Sequence, residues 1–298
     1  MYYRYIACEL CIGNLSQFIR REGPFKDQLA AFEKLDSPAA TLQLLEEVID
    51  LAKQAAKGLA FVHENGHDGT KYVHKDIKPV NFVVRSEGVA DGSNNPKWIC
   101  KLTDLGFSRQ TVDKATYVEL THRLGTRDWI APELLNVIEP GTSNFVSRII
   151  SSMTGSGANN ADGVGNTVNT STYDIKLYFH QYCDVWSFGG VLHFIFTGGQ
   201  HPYGETTHNR LENIRKCRPI KSGQQFLAKI KQPRFRIDLL IAEMIQRDPI
   251  QRPDMQTVLE SIEQWKPCDE YLNTKRESLP EKISFFILVA FFPLMFIY

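Results

Sequence analysis

Neither sign of charge prevails in this chain: Lys plus Arg and Asp plus Glu each number 34. That balance supplies no electrostatic footprint for a nucleic-acid backbone or an anionic membrane surface, so direct nucleic-acid binding is not expected. The opening Met1-Tyr2-Tyr3-Arg4-Tyr5 lacks the basic start and apolar run of a secretory signal. The 6 cysteines (Cys8, Cys11, Cys100, Cys183, Cys217, Cys268) are scattered. Without a second close pair to join Cys8-x-x-Cys11, no structural zinc site is expected. Reduced thiols in a cytosolic setting follow, with Cys8 and Cys11 read as residues in and just after a buried strand. Internal repeats are lacking as well.

What is present is ordinary in bulk. The 298 residues are 43% hydrophobic and 23% charged, enough for one large or two small globular domains. The C-terminal end departs from this. Residues 283–298 are almost wholly apolar, shorter than the ~20 residues a membrane-spanning helix needs, and interrupted by Pro293. Three readings fit that segment: a marginal membrane anchor, read-through or a mispredicted exon, and a buried terminal helix.

Along the chain, Tyr5 to Leu10 reads as a short buried strand, and Asn14 caps a helix beginning at Leu15. Leu42, Leu45, Val48, Ile49, Ala52, Ala56, Leu59 and Val62 recur at three- and four-residue steps, predicting a long amphipathic helix that ends near Asn65-Gly66. Phe82-Val83-Val84 and 98–102 read as strands joined by a turn-rich loop around 91–96. Between Pro140 and Ser171 the composition shifts to Ser, Gly, Asn and Thr, too poor in large apolar residues to offset ordering entropy; a disordered insertion over 140–172 is expected. Its Gly155-Ser156-Gly157 and Gly163-Val164-Gly165 neither follow a strand nor open a helix, so they read as linker and not as a phosphate loop. Val185 to Phe196 suits a helix buried on every side, and 236–246 and 254–265 predict two amphipathic helices.

Three short words carry the chemistry: His74-Lys75-Asp76-Ile77-Lys78-Pro79-Val80-Asn81, then Asp104-Leu105-Gly106, then Ala131-Pro132-Glu133. Asp184-Val185-Trp186-Ser187-Phe188-Gly189 and Arg252 follow them. Singly, such Asp and Asn residues are usually solvated turn formers. In this order and spacing they resemble the catalytic loop, metal-binding turn and activation-segment end of eukaryotic protein kinases.

The resemblance implies an α+β kinase-like fold, mainly the helical C-terminal lobe with its hinge strand, with the N-terminal lobe largely missing. It implies a kinase domain over 1–266 and a tail over 267–298. It further implies phosphoryl transfer from Mg-ATP to protein hydroxyls, where the protein supplies positioning and charge neutralisation. By resemblance Asp76 accepts the proton of the attacking hydroxyl and Lys78 offsets phosphoryl charge. Asn81 and Asp104 hold Mg2+, while Glu9 and Cys11 fall where the hinge meets the adenine of ATP, with Cys8 as gatekeeper. His74, Glu133, Asp184 and Arg252 are implied to be structural, the Glu133–Arg252 pair as a buried salt bridge. Lys78 two places after Asp76, with Gly125-Thr126, matches the serine/threonine pattern. Lys75 replaces the usual Arg, which weakens bidentate phosphate capture, and Leu105 replaces the usual Phe. Ser108, Thr111, Thr116 and Thr121 are the candidate phosphosites between the second and third words.

Tyr5-Ile6-Ala7-Cys8-Glu9-Leu10-Cys11, Gly125-Thr126-Arg127-Asp128-Trp129-Ile130-Ala131-Pro132-Glu133, and Gly198-Gly199-Gln200-His201-Pro202-Tyr203-Gly204 with Asn213-Ile214 are similar to the inositol-requiring stress-sensor kinase/endoribonuclease family and the related 2-5A-dependent ribonuclease. That likeness implies autophosphorylation, a protein substrate, a homodimer and a place on the cytoplasmic side of the endoplasmic reticulum. The residues after Trp265 are too few for the ribonuclease domain that follows such kinases, since a domain takes roughly 50 or more. The sequence holds no Gly-x-Gly-x-x-Gly-x-Val and no Val-Ala-Ile-Lys. Two expectations therefore stand: a piece of an active Ser/Thr kinase that binds ATP poorly by itself, and a noncatalytic kinase-fold module for binding or dimerisation.

Overall fold

The fold was analysed in a computed structural model, which describes residues 8–26, 38–65, 71–87, 97–111, 117–119, 125–138, 178–219 and 237–265. The insertion at 140–172 and the apolar 283–298 lie outside the described residues. Among the described residues no helix is long and apolar enough to cross a membrane.

The described residues are largely helical and form three small antiparallel sheets. The first sheet has the order β1 (Gly13–Asn14), β3 (Phe82–Glu87), β4 (Lys97–Leu102). Its register runs from Phe82↔Leu102 to Glu87↔Lys97 across β3 and β4, with Gly13 opposite Val84. Gln54 closes the outer edge of β4: its Oε1 accepts the Cys100 N–H (2.8 Å) and its Nε2 donates to Trp98 O (3.0 Å). The side-chain amide thus satisfies backbone groups that a further strand would otherwise satisfy. The second sheet pairs β2 (Tyr72–Val73) with β5 (Arg109–Gln110), and the third pairs β6 (Tyr117–Glu119) with β7 (Tyr178–His180).

Helix α1 (Leu15–Arg20) begins as its sequence dictates. Asn14 accepts from the Gln17 N–H, and the Gln17 side chain accepts from the Asn14 N–H, a reciprocal capping box. Phe18, Phe25 and Trp98 then meet edge to face at 5.0–5.8 Å, welding α1 to the sheet. Helix α2 (Pro38–Glu64) buries Val48, Leu51, Ala52, Ala55, Ala56 and Leu59, the stripe set by its periodicity. Helices α3 (Pro132–Ile138), α4 (Tyr182–Phe196), α5 (Thr207–Arg215), α6 (Ile237–Met244) and α7 (Met255–Glu263) complete the described chain. Helix α4 is buried from Cys183 to Phe196 and forms the axis of the main core. Gly189 lets α6 approach it closely, because a Cβ there would lie 3.0 Å from both Met244 and Ile245 side chains.

The N-terminal expectation fails in part. Tyr5 to Ala7 lie outside the described residues, and Cys8, Glu9 and Leu10 are exposed and form no strand. Pairing begins only at Ile12, whose N–H donates to Val84 O (2.9 Å). Residues 8–10 have no ladder partner among the described residues, and Leu10 stands 92% exposed. Cys8 is exposed and Cys11 half-buried, so neither is the buried thiol that was expected.

Core packing makes a direct prediction. Phe188 is fully buried against Phe82, with ring centroids 6.0 Å apart. Phe188→Ala is expected to cost about 3–5 kcal/mol in a urea titration. Phe61→Ala, at a position 65% exposed, is expected to change stability by no more than about 0.5 kcal/mol.

Candidate active site

The site is assembled on one buried carboxylate. Asp184, on the first turn of α4, accepts the backbone N–H of His74 on Oδ2 (2.6 Å) and that of Lys75 on Oδ1 (2.8 Å). His63, at the end of α2, places its Nε2 3.0 Å from the same Oδ2. Burial works most strongly against ionisation of Asp184, but hydrogen bonds and charge from His63 and His74 prevail and hold its carboxyl below the usual range. These contacts hold Lys75 at φ 74°, a left-handed conformation costly for a residue with a Cβ. The turn they impose presents Asp76 to the site.

Asp76 is itself buried and fully engaged. Its Oδ1 accepts both the N–H and the hydroxyl of Thr126, each at 2.8 Å. Its Oδ2 accepts from Lys78 Nζ (2.7 Å) and Asn81 Nδ2 (3.0 Å). Lys78 Nζ also donates to Thr126 Oγ1 (2.6 Å), closing a ring of Asp76, Lys78 and Thr126. Burial again disfavours the charged form most, and the bonds from Lys78 and Thr126 overcome it, leaving the Asp76 pKa lowered. Gly125 is required beside this ring, since a Cβ would collide with Lys75 O and approach Asp76.

Asp104 is brought to the same place by backbone bonds. Thr103 donates its N–H to Asn81 O (2.9 Å), and His74 Nε2 lies 3.1 Å from Thr103 O. Asp104 follows in left-handed conformation, φ 62°, with Oδ1 facing the Gly106 N–H. Asn81 spends its amide N–H groups on Asp76 O and Oδ2, which leaves its side-chain oxygen to accept. Two oxygen donors of this kind fit a hard cation that keeps several waters. Among the described residues no cluster of three or more His, Cys, Asp or Glu could hold a metal by itself. Glu9 turns its side chain to Arg85 and Lys101 in ion pairs. Cys11 is half-buried just ahead of β1.

Beneath the site, Arg252 donates from Nη1 and Nη2 to the two oxygens of Glu133 (2.7 and 2.8 Å), with further bonds to Tyr182 O and Gln246 O. Both residues are buried. Next to Thr126, Asp128 pairs with Arg210 (2.8 Å). His201 Nδ1 accepts the Tyr203 N–H (3.2 Å), so its Nε2–H donates to Asp128 O (2.9 Å). The sequence reading of Thr111 as a phosphosite is corrected: its hydroxyl is buried, accepting from the Lys71 N–H while its own N–H donates to Lys71 O. Ser108 is half-buried, and Thr116 and Thr121 lie outside the described residues.

Sequence reasoning passed over His63 and Gln181, and it read Thr126 only as a mark of substrate type. A signal existed for His63, which sits four residues beyond Leu59 on the inward stripe of α2. Gln181, whose Nε2 donates to His63 O (2.8 Å) and Tyr72 O (3.0 Å), offered none, because an isolated Gln before an apolar run has no pattern.

Comparison with known proteins agrees with this geometry. A family model described as protein kinase domain matches residues 2–146, and one described as protein tyrosine and serine/threonine kinase matches 171–262. The chain belongs to the protein kinase superfamily. It is 25% identical over 260 residues to a serine/threonine-protein kinase/endoribonuclease of Aspergillus fumigatus, covering 84% of this chain and 19% of that protein. It is 25% identical over 266 residues to a light-sensor protein kinase of Ceratodon purpureus, covering 88% of this chain and 16% of the relative. It is also 25% identical over 260 residues to a tyrosine-protein kinase of Homo sapiens, covering 87% of this chain and 40% of the relative. The chain thus spans well under half the length of these relatives.

Two outcomes follow. Arg252→Met is expected to cost about 3–5 kcal/mol by leaving Glu133 buried and unpaired, and adding Glu133→Gln to recover part of that in chemical denaturation. Burial lowers the pKa of His201 to about 3 and that of His193 to about 4. Below the unfolded histidine value of about 6.5 the unfolded chain binds more protons than the folded one. Stability is therefore expected to be full above that pH and to fall steadily as pH drops toward 4 and 3. Asp184 adds to the loss at the acid end, since its lowered carboxyl is an advantage that vanishes on protonation. Thermal melts from pH 8 to 3 check this, and a flat profile between pH 6.5 and 4.5 contradicts it.

Proposed function

We propose that this chain carries the catalytic lobe of a serine/threonine protein kinase, transferring phosphoryl from Mg-ATP to protein hydroxyls, its own included. The observation that carries the reading is the ring of Asp76, Lys78 and Thr126 around one buried carboxylate. Asp76 is ionised and held in one orientation, which suits it to take the proton of an incoming hydroxyl. Lys78, tethered between Asp76 and Thr126, keeps a cation where negative charge arrives. Asn81 and Asp104 are the residues that would hold magnesium, and the backbone at Glu9 and Cys11 would meet adenine. When bound, Mg-ATP supplies the phosphoryl group and neutralises its charge.

Lys78 two residues beyond Asp76, with Gly125-Thr126, matches the serine/threonine pattern and supports serine or threonine over tyrosine as acceptor. Relatives of both acceptor types share the same level of identity, so peptide specificity is the discriminating measurement. A noncatalytic module for binding or dimerisation is the second reading, favoured by the lack of a Gly-x-Gly-x-x-Gly-x-Val and of a Val-Ala-Ile-Lys in the sequence. The protein expressed from its complete transcript, incubated with labelled ATP, magnesium and Ser, Thr and Tyr peptides, is expected to label Ser or Thr. Asp76→Asn is expected to remove this labelling by at least about a hundredfold, the scale of a lost general base. Labelling that survives Asp76→Asn, or falls on Tyr alone, overturns the proposal; no labelling at all moves the assignment to the noncatalytic reading.

A further inference from the structure

We infer that Cys8 and Cys11 are a thiol pair that closes reversibly into a disulfide, and that closure withdraws this stretch from the nucleotide. The disulfide stands on the two thiols alone. Its effect on the nucleotide rests on the proposed role of the Glu9 and Cys11 backbone.

Accessibility singles these thiols out. Cys8 is exposed and Cys11 half-buried, and both are free. Cys100 and Cys183 are buried. Burial pushes the Cys100 thiol up to about 12, raises that of Cys183 well above its ordinary value, and raises that of Cys217 as well. The thiolate is the attacking species in disulfide exchange, so these three are disfavoured at neutral pH. Cys268 lies outside the described residues. Among the described residues, the pair separated by Glu9 and Leu10 is the one open to a soluble oxidant.

Little in the packing resists closure. A disulfide needs Cα atoms roughly 4.4–6.8 Å apart, which a four-residue turn supplies. Residues 8–11 lie in no strand, helix or turn, so closure asks them to bend. A type I turn accepts Glu and Leu at its two central places. Ladder bonding begins at Ile12, and Leu10, 92% exposed, has no burial to give up. What holds the stretch open is Glu9, whose carboxylate pairs with both Arg85 and Lys101. Those cations are diagonal neighbours on one sheet face, because the register sets Val83 opposite Lys101 and Arg85 opposite Ile99. Bending re-aims Glu9 and forfeits these pairs. Exposed pairs shift an equilibrium by only about one-and-a-half to fivefold each, so they tune closure without forbidding it.

The chemistry balances with oxidised glutathione as the oxidant. One cysteine thiolate attacks a glutathione sulfur, forming a mixed disulfide and releasing the first glutathione thiol. The second cysteine attacks the protein sulfur of that mixed disulfide, forming the Cys8–Cys11 S–S bond and releasing the second. Two cysteines are oxidised, one glutathione disulfide is reduced, and the two cysteine protons end on the released thiols. In the closed form the backbone of Glu9 and Cys11 has left the positions proposed to meet adenine.

The test equilibrates the 298-residue chain with reduced and oxidised glutathione over a range of ratios, alkylates the remaining thiols and measures the mass of the peptide carrying residues 8–11. The internal bond is expected to accumulate as oxidised glutathione increases and to disappear with dithiothreitol. Cys11→Ser is expected to leave a mixed glutathione disulfide on Cys8 instead. Glu9→Gln is expected to raise the ratio of closed to open chain about twofold to tenfold at a fixed glutathione ratio, since the open form loses its ion pairs. Cysteines that carry only separate glutathiones at every ratio, or a Glu9→Gln chain that closes less readily, overturn the switch. In the protein from its complete transcript, a bound fluorescent ATP analogue is expected to leave on oxidation and return with dithiothreitol. An analogue retained by the closed form overturns the effect on the nucleotide and leaves the disulfide standing. The disulfide is read by mass alone, so failure of the Asp76→Asn labelling test does not touch it and the two ideas fail separately.

Discussion

The Asp184 carboxylate is the contact on which the rest of the site depends. It is the first charged group on a helix that is otherwise core, and it reaches out of that core to take two consecutive backbone amides and one imidazole. A buried carboxylate is tolerated only when its lone pairs are occupied, and here the occupants are the catalytic loop itself. The energetic need of the buried charge and the geometric need of the loop are met by the same bonds. Lys75 can therefore keep a left-handed backbone that would be unfavourable in isolation. Asp76 takes its backbone position from that turn, while its side chain is held by Thr126, Lys78 and Asn81.

A second buried charge works by a different logic. Glu133 and Arg252 spend their charge on one another in a two-pronged arrangement, and Arg252 uses its remaining N–H groups on the carbonyls of Tyr182 and Gln246. The pair fastens the end of the segment carrying Gly125 and Thr126 to the helices beneath it. A lysine could meet the charge but not the planar fork. The segment is thus fixed at its far end by an ion pair and at its near end by Thr126.

Much of this was legible in the sequence, for identifiable reasons. Helix α2 announced itself through apolar residues at three- and four-residue steps, and α1 through Asn14 and its partner Gln17. Helix α4 was readable because the nearly all-apolar run from Val185 to Phe196 suits a helix surrounded by core. The residues of the candidate site were picked out through order and spacing, which local physics does not explain. What stayed hidden depends on contacts distant in sequence. The pairing of β2 with β5 and of β6 with β7 involves two or three residues each, too few for any alternation to register. The side chains of Gln181 and His63 bond to partners more than a hundred residues away. The buried strand expected at Tyr5 to Leu10 is not seen at residues 8–10, because an apolar stretch shows a preference while a strand needs a ladder partner, which these residues lack among those described.

The amide of Gln54 has a bearing beyond the packing of α2 on β4. A side chain that offers one donor and one acceptor at the spacing of a strand acts as a terminator written in two atoms. It occupies edge groups of the kind on which another extended chain can pair. The edge of β4 is thereby capped by a helix residue at Trp98 and Cys100.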